Sequence, residues 1–292
     1  MQSISSTQSP IGIIGGSGLY QLDGIENVTD MTVETPFGNP SDTIKSGTLH
    51  GRHVHFLPRH GHGHTIAPHE INHRANIYAL KSLGVQWIVC VTAVGSLKQE
   101  YAPRHIVLPS QYFDRTSQRS QHTFFADGIV AHVGFSDPTN AKLRELIQAA
   151  CEAEGATCHN GGTYVGMDGP AFSTRAESES YRHLGFDVIG MTNLPEAKLA
   201  REAEIALATI ACITDYDCWK TDIAPVSVQT VIGHLQANAE LAKRLLERVI
   251  PNIPSTATEP EHHALDHAIV TQRSFWPDQT LDKLGPILSR FR

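Results

Sequence analysis

Apolar positions along this chain gather in short runs bounded by glycine, proline or polar clusters. The longest spans residues 205–213, in which Thr209 is the only polar side chain. A continuous apolar run of that length predicts a strand buried on both faces. Residues 11–14, 87–96, 105–108 and 187–193 repeat the pattern, and 161–173 reads as a strand followed by a turn. His53, Val54, His55, Phe56 and Leu57 alternate, which predicts a half-buried strand.

Helical spacing lies between these runs. Pro68 opens one helix that ends near Gly84 and carries Ile71, Ala75, Tyr78 and Ala79 on one face. Asp137-Pro138-Thr139 starts the clearest one, with Leu143, Leu146, Ile147, Ala150 and Cys151 inward and Gly155 ending it. A third begins around Pro195, with Glu196 in its first turn. Ser227 caps a long amphipathic helix whose inner stripe is Val228, Val231, Ile232, Leu235, Ala239, Ala242, Leu246 and Val249. Residues 114–136 read as a loop excursion. Strands and helices joined by short turns in this order predict an α/β fold with a largely parallel core.

Open α/β sheets bind ligands beyond the carboxyl ends of their strands, and here those ends carry chemistry. The apolar run 205–213 delivers Asp215 and Asp217, whose alternate spacing in extended chain points both at one ligand edge; an acidic turn with a solvated face is the other reading. Residues 11–14 run into Gly15-Gly16-Ser17-Gly18, either an anion-binding turn or a tight turn that needs positive φ. The strand at 53–57 ends in Arg59 and His60, donors suited to an anion. Thr92, Ala93, Met191 and Thr192 end two more strands. Phe172, after a Gly-Pro turn, reads as a core residue or as a stacking platform.

The 292 residues, 40% hydrophobic and 18% charged, suffice for a sizeable core. A net charge of −7 without a basic block argues against nucleic acid as a partner, and no apolar run approaches the length of a membrane span. The first ten residues form a polar lead without the pattern of a signal peptide. The five cysteines are odd in number and lack CxxC spacing, which points away from disulfides and zinc and toward a reducing, cytoplasmic setting. His60, His62, His64, His69 and His73 crowd one stretch, yet neither a helical HxxxH pair nor a nearby Cys or Asp completes a metal set. No metal is expected.

Taken together, eight segments resemble the trimeric purine nucleoside phosphorylases, most closely their 5′-methylthioadenosine phosphorylase branch. They are Ile-Gly-Ile-Ile-Gly-Gly-Ser-Gly-Leu at 11–19, Thr-Pro-Phe-Gly at 35–38 with Pro40 and Ser41, Arg-His-Gly at 59–61 with His64, Thr65 and Ile66, and Thr92, Ala93 and Gly-Ser-Leu at 95–97. Asp-Arg-Thr at 114–116, the stretch from Gly169 to Ser178, Met191 to Ala197, and Thr-Asp-Tyr-Asp-Cys-Trp-Lys at 214–220 complete the series. Their order holds from about residue 11 to about 254.

The resemblance implies a three-layer sandwich around a mixed, largely parallel twisted sheet. It implies a flexible lead at 1–10, a single catalytic domain at 11–254, and a tail at 255–292 that packs on the core or on a neighbouring subunit of a homotrimer. It implies phosphorolysis of a purine nucleoside without a cofactor, inorganic phosphate being the co-substrate. Ser17, Arg59, His60, Thr92, Ala93 and Thr192 would bind phosphate. Phe172 would stack on the purine, Met191 would floor the ribose, and Val228 with Val231 would line the 5′ pocket. Asp215, Asp217 and Ser173 would form the catalytic group, with Asp215 and Asp217 on the N7 and amine edge of the base. His132 would reach a neighbour's nucleoside, as would Leu281 or Leu284. Departures from the family pattern are Ser17 in place of a common Thr and Ala171 in place of a basic residue. Paired acids favour adenine, since a carboxylate accepts from an amine and repels a carbonyl. The alternatives are preference for 5′-methylthioinosine, inosine or guanosine; a non-catalytic purine- or phosphate-binding protein; and a histidine-rich metal hydrolase.

Overall fold

The apolar runs at 87–96 and 205–213 become the two longest strands, side by side at the centre of the computed structural model, which describes residues 8–20, 22–221 and 228–292, and the side chains of the last stretch from 233 onward. The strands are β1 (Ile11–Gly15), β2 (Glu26–Met31), β3 (Ile44–Leu49), β4 (Arg52–Pro58), β5 (Trp87–Ser96), β6 (Ile106–Leu108), β7 (Gln111–Asp114), β8 (Cys158–Asn160), β9 (Thr163–Gly166), β10 (Val188–Gly190) and β11 (Ala206–Asp215). The helices are α1 (His73–Ser82), α2 (Ala141–Ala153), α3 (Arg175–His183), α4 (Asn193–Glu202), α5 (Val228–Val249) and α6 (Asp278–Lys283).

Side-chain alternation on β5 assigns its two faces. Trp87, Val89 and Val91 pack with Leu143 and Ile147 of α2 and Leu245 and Leu246 of α5. Ile88 and Cys90 point the other way, toward Ile77 and Leu80 of α1 and Leu199 of α4. Helices therefore cover both faces of one sheet, which is mixed and largely parallel. Residues beyond 254 close over the α1/α4 layer with Leu265, Ala268, Leu284, Ile287 and Leu288. Leu284 is fully buried there, which withdraws it from any role at a neighbour's site; Leu281 is half-buried against the same cluster.

The sheet branches at β5. One edge pairs in parallel with β1 only from Trp87 to Cys90. The same edge is taken up again by antiparallel β10 at Gly95 and Ser96. The other edge follows β11 in parallel throughout. Residues 91–94 thus face a gap where β1 has left and β10 has not arrived, a topological switch point of the kind that receives ligands in α/β sheets.

Several boundaries differ from the sequence reading. Pro68–Glu70 is a single 3₁₀ turn, and α1 starts at His73, where the Asn72 side chain accepts from the Ala75 N–H at 3.1 Å. Likewise Asn140 caps α2 by accepting from Leu143 N–H at 2.8 Å. Strand β4 is buried rather than half-buried: His55 is 2% exposed, because β3 and β2 extend the sheet past it. The proposed cap Ser227 lies outside the described residues.

Candidate active site

The gap beside residues 91–94 opens into a cavity of about 340 Å³. Ser17 enters it from the turn after β1, Arg59 and His60 from the end of β4, and Thr92 and Ala93 from β5. Met191 and Thr192 follow β10, Asp215 ends β11, Asp217 lies two residues on, and Phe172 with Ser173 comes from the turn between β9 and α3. The structure brings all of these predicted residues to one space. His132 is exposed and lies off this cavity, its backbone N–H bonded to the Ala268 carbonyl at 2.8 Å. Val228 and Val231 fall in the first turns of α5, and their side chains lie outside the described residues.

The turn after β1 presses flat against the wall. A Cβ on Gly16 would sit 2.6 Å from the Val91 carbonyl oxygen and 2.8 Å from Arg59 Nη1, so only glycine fits there. Arg59 Nη1 donates to that carbonyl at 3.0 Å, serving a β5 acceptor beside the gap. Nε and Nη2 donate to the two oxygens of Glu196, the second at 2.9 Å. Both side chains are buried, 1% and 0% exposed. Burial opposes each charge, yet the pairing holds the guanidinium above its ordinary value and the Glu196 carboxyl below its own. Asn193 Nδ2 adds a bond to Glu196 at 3.1 Å, and Asn193 Oδ1 accepts from Thr209 at 2.8 Å and from the Tyr112 hydroxyl. A guanidinium has five N–H groups; on Arg59 three are committed within the protein and two remain.

His60 is likewise engaged. Its Nδ1 lies 2.9 Å from the Ile66 carbonyl oxygen, and its ring stacks on His64 at 4.2 Å between centroids. Burial and the Arg59 charge push its pKa down to about 4.

The opposite wall is acidic. The pairing of β11 with β5 shifts register between Ile213 and Asp215, which swings Asp215 alongside Gly95. A Cβ at Gly95 would lie 3.0 Å from Asp215 Oδ1, so the glycine leaves that carboxylate its space. Asp215 Oδ2 accepts from Thr214 Oγ1 at 2.7 Å and Oδ1 accepts from the Asp217 N–H at 2.8 Å. Asp217 is not in extended chain: its φ is +50°, a left-handed turn that Asp tolerates. The two acids share the cavity through this turn rather than through strand alternation. Burial raises the pKa of both. At Asp215 the Thr214 and Asp217 hydrogen bonds oppose the rise; at Asp217 the like charge of Asp215 adds to it. Among the described residues Asp217 Oδ2 has no hydrogen-bond partner. Between the walls, Phe172 is 55% exposed, and Ser173 donates to the Met167 sulfur at 3.8 Å.

With this geometry in view, residues 10–251 match the phosphorylase superfamily. The chain belongs to that superfamily. It is 49% identical over 281 residues to the S-methyl-5′-thioadenosine phosphorylase of Geobacter sulfurreducens, covering 96% of this chain and 98% of that one. The protein of the same name from Gloeobacter violaceus is 50% identical over 99% of this chain and 98% of its own. A crystal structure of a methylthioadenosine phosphorylase from an Antarctic soil metagenomic library superposes with a TM-score of 0.90 at 47% identity, covering 97% of this chain and 99% of that one. The Schistosoma mansoni methylthioadenosine phosphorylase in complex with adenine gives a TM-score of 0.85 at 32% identity, over 91% of this chain and all of that one.

For a member of the phosphorylase superfamily, the sequence reading missed several cavity partners. In the sequence Glu196 reads as a first-turn acid of a helix within the Met191–Ala197 segment, and its pairing with Arg59, 137 positions away, has no local signal. His64, Met167, Thr214 and Leu235 also line the cavity. Among the described residues, the dense histidine stretch included, no three His, Cys, Asp or Glu side chains converge as a metal would require. Among the same residues no helix is long and apolar enough to cross a membrane.

Proposed function

We propose that the chain catalyses phosphorolysis of 5′-methylthioadenosine, giving adenine and 5-methylthioribose 1-phosphate. The observation that carries this reading is the layout of one cavity. Anion donors stand on one wall, two carboxyls of raised pKa on the other, Asp217 buried and Asp215 partly buried, and an exposed aromatic ring lines the same cavity. The S-methyl-5′-thioadenosine phosphorylases to which the chain is similar support the choice of substrate.

In this reading Ser17, Thr92, Ala93, Thr192, His60 and the free N–H groups of Arg59 hold phosphate. Phe172 stacks on the purine and Met191 lies under the ribose. A phosphate oxygen bonds to the ribosyl carbon as the carbon–N9 bond breaks and its electron pair passes to the base. Asp215 gives the departing purine a proton at N7, and Asp217 accepts from the exocyclic amine. The proton lost by phosphate balances the one gained by adenine, so the carboxyl is restored each cycle. Phosphate, the hydroxyls and the two acids meet every charge that develops, so the scheme needs no cofactor. Proton donation of this kind contributes about 10²–10⁴ in rate, and holding phosphate in line adds effective molarity.

The same reading makes the enzyme a cytoplasmic homotrimer, in which the exposed His132 faces a neighbouring cavity. Incubation with 5′-methylthioadenosine, with and without phosphate, tests the activity: adenine release that depends on phosphate supports it, and none contradicts it. Parallel assays with 5′-methylthioinosine test the amine preference, and sedimentation tests the trimer.

A further inference from the structure

We propose that Trp219 and Arg182, neither of which lines the cavity, are positioning residues for Asp217 and thereby set the preference for a purine that carries an amine. This rests on the reading of Asp217 as the acceptor of the exocyclic amine.

The carboxyl of Asp217 depends on its backbone for direction. Its Oδ2 has no hydrogen-bond partner among the described residues, and its φ of +50° is a conformation that an ordinary residue keeps only where its surroundings fix it. Before the turn, Asp215 Oδ1 accepts from the Asp217 N–H at 2.8 Å. After it, the chain must be held within a residue or two, because each residue adds up to about 3.6 Å of reach. Cys218 supplies only a weak thiol bond, to the Ser173 carbonyl at 3.2 Å. Trp219 is the stronger anchor.

The Trp219 ring is buried among Leu97, Val165, Tyr181 and Ile189. Its indole N–H donates to the Ser96 carbonyl at 2.8 Å. The Arg182 guanidinium, from α3, lies over the ring 3.7 Å from its centroid, and Arg182 Nε donates to the next carbonyl, that of Leu97, at 3.1 Å. On the other side of Asp217, the Tyr216 hydroxyl donates to the Gln99 carbonyl at 3.3 Å, and the Tyr216 ring meets Trp219 edge-on. The residues flanking Asp217 thus grip one segment, 96–99. That segment is itself fixed: Ser96 pairs with Val188 of β10, and the Leu97 N–H donates to the Asp187 carbonyl at 2.9 Å. The strands that frame the gap therefore also hold the turn that aims the acid.

A hydrogen bond weakens steeply as it bends away from linear. Without the indole N–H the turn is free to relax from its left-handed φ, which carries the Asp217 carboxylate off the line of the amine. The phosphate end and the N9 bond are untouched by that change. A purine without the amine has nothing to lose.

Comparing kcat/KM with phosphate for 5′-methylthioadenosine and for the same nucleoside without its 6-amino group tests this in the intact protein. The parent should favour the amine-bearing nucleoside by about tenfold or more, the worth of a hydrogen bond to a charged acceptor. Trp219→Phe keeps the ring and loses the N–H, and should narrow that preference to below ~3-fold while leaving the amine-free nucleoside within ~2-fold of the parent. Arg182→Gln, at a side chain 32% exposed on α3, should narrow it in the same direction. Neither variant should move the preference by more than ~2-fold in an Asp217→Asn background, because both act through that carboxyl.

A preference undiminished in either folded variant, an equal loss on both nucleosides, or a full effect in the Asp217→Asn background would overturn the inference and leave the proposed activity standing. If Trp219→Phe does not fold, Arg182→Gln decides by the same criteria. A parent that consumes neither nucleoside, or both alike, would contradict the reading of Asp217, and the inference with it.

Discussion

Glu196 and Arg59, 137 residues apart in sequence, meet as a buried pair with two hydrogen bonds on the cavity wall. Removing one partner of such a pair leaves an uncompensated charge in a dry interior, at a cost of about 3–5 kcal/mol. Glu196→Gln should therefore lower the denaturation midpoint strongly in urea. A loss below ~1 kcal/mol would mean that Arg59 finds another partner or water.

Asp215→Asn and Asp217→Asn each remove a carboxyl that the proposed function places at the edge of the base. Asp215→Asn should lower kcat by about 10²–10⁴. The acid is useful while protonated, so kcat should fall as pH rises through its raised pKa, and this limb should vanish in the variant. A variant with unchanged kcat and an unchanged pH profile would exclude Asp215 as the donor.

Phe172 is more than half exposed, so its ring adds little to the core. Phe172→Ala should leave the melting temperature within error of the parent and raise KM for the nucleoside by roughly 5–100-fold, the worth of one base-stacking contact of ~1–3 kcal/mol. Unchanged KM with reduced stability would reverse that assignment.

Glu202 accepts from Thr123 Oγ1 at 2.7 Å and from the Phe124 N–H at 2.6 Å, tying down the segment after β7. Burial pushes its pKa up to about 7, against those two bonds. The folded state then holds a proton that the unfolded state releases near 4.5, so this group's contribution to stability falls as pH rises from 4.5 to about 7. Glu202→Gln should flatten that slope in denaturation experiments across the interval. An identical slope in the variant would remove Glu202 as its source.

Strand-end chemistry was legible in the sequence because it is local. A buried strand followed by Gly-Gly-Ser, Arg-His or Asp-Tyr-Asp announces both the element and its cargo. Helix α3 was not, since among its residues only Ser178 and Tyr181 are buried; its signal was the Thr174–Glu177 capping box. Strands β2 and β3 escaped because β2 is nearly all exposed and β3 does not alternate regularly. The turn that aims Asp217 depends on a left-handed φ at an ordinary residue, which spacing does not encode. The commitments of Arg59 to Glu196 and of His60 to Ile66 belong to the tertiary structure, and they turn an apparently cationic wall into a compensated one.

The most direct test of the account is a ³¹P NMR time course of the protein with 5′-methylthioadenosine and phosphate, with adenine followed in the same tube. The account predicts that the inorganic phosphate signal gives way to a phosphomonoester coupled to an anomeric proton, mole for mole with adenine. Adenine released without a new phosphoester, or no adenine at all, would contradict it.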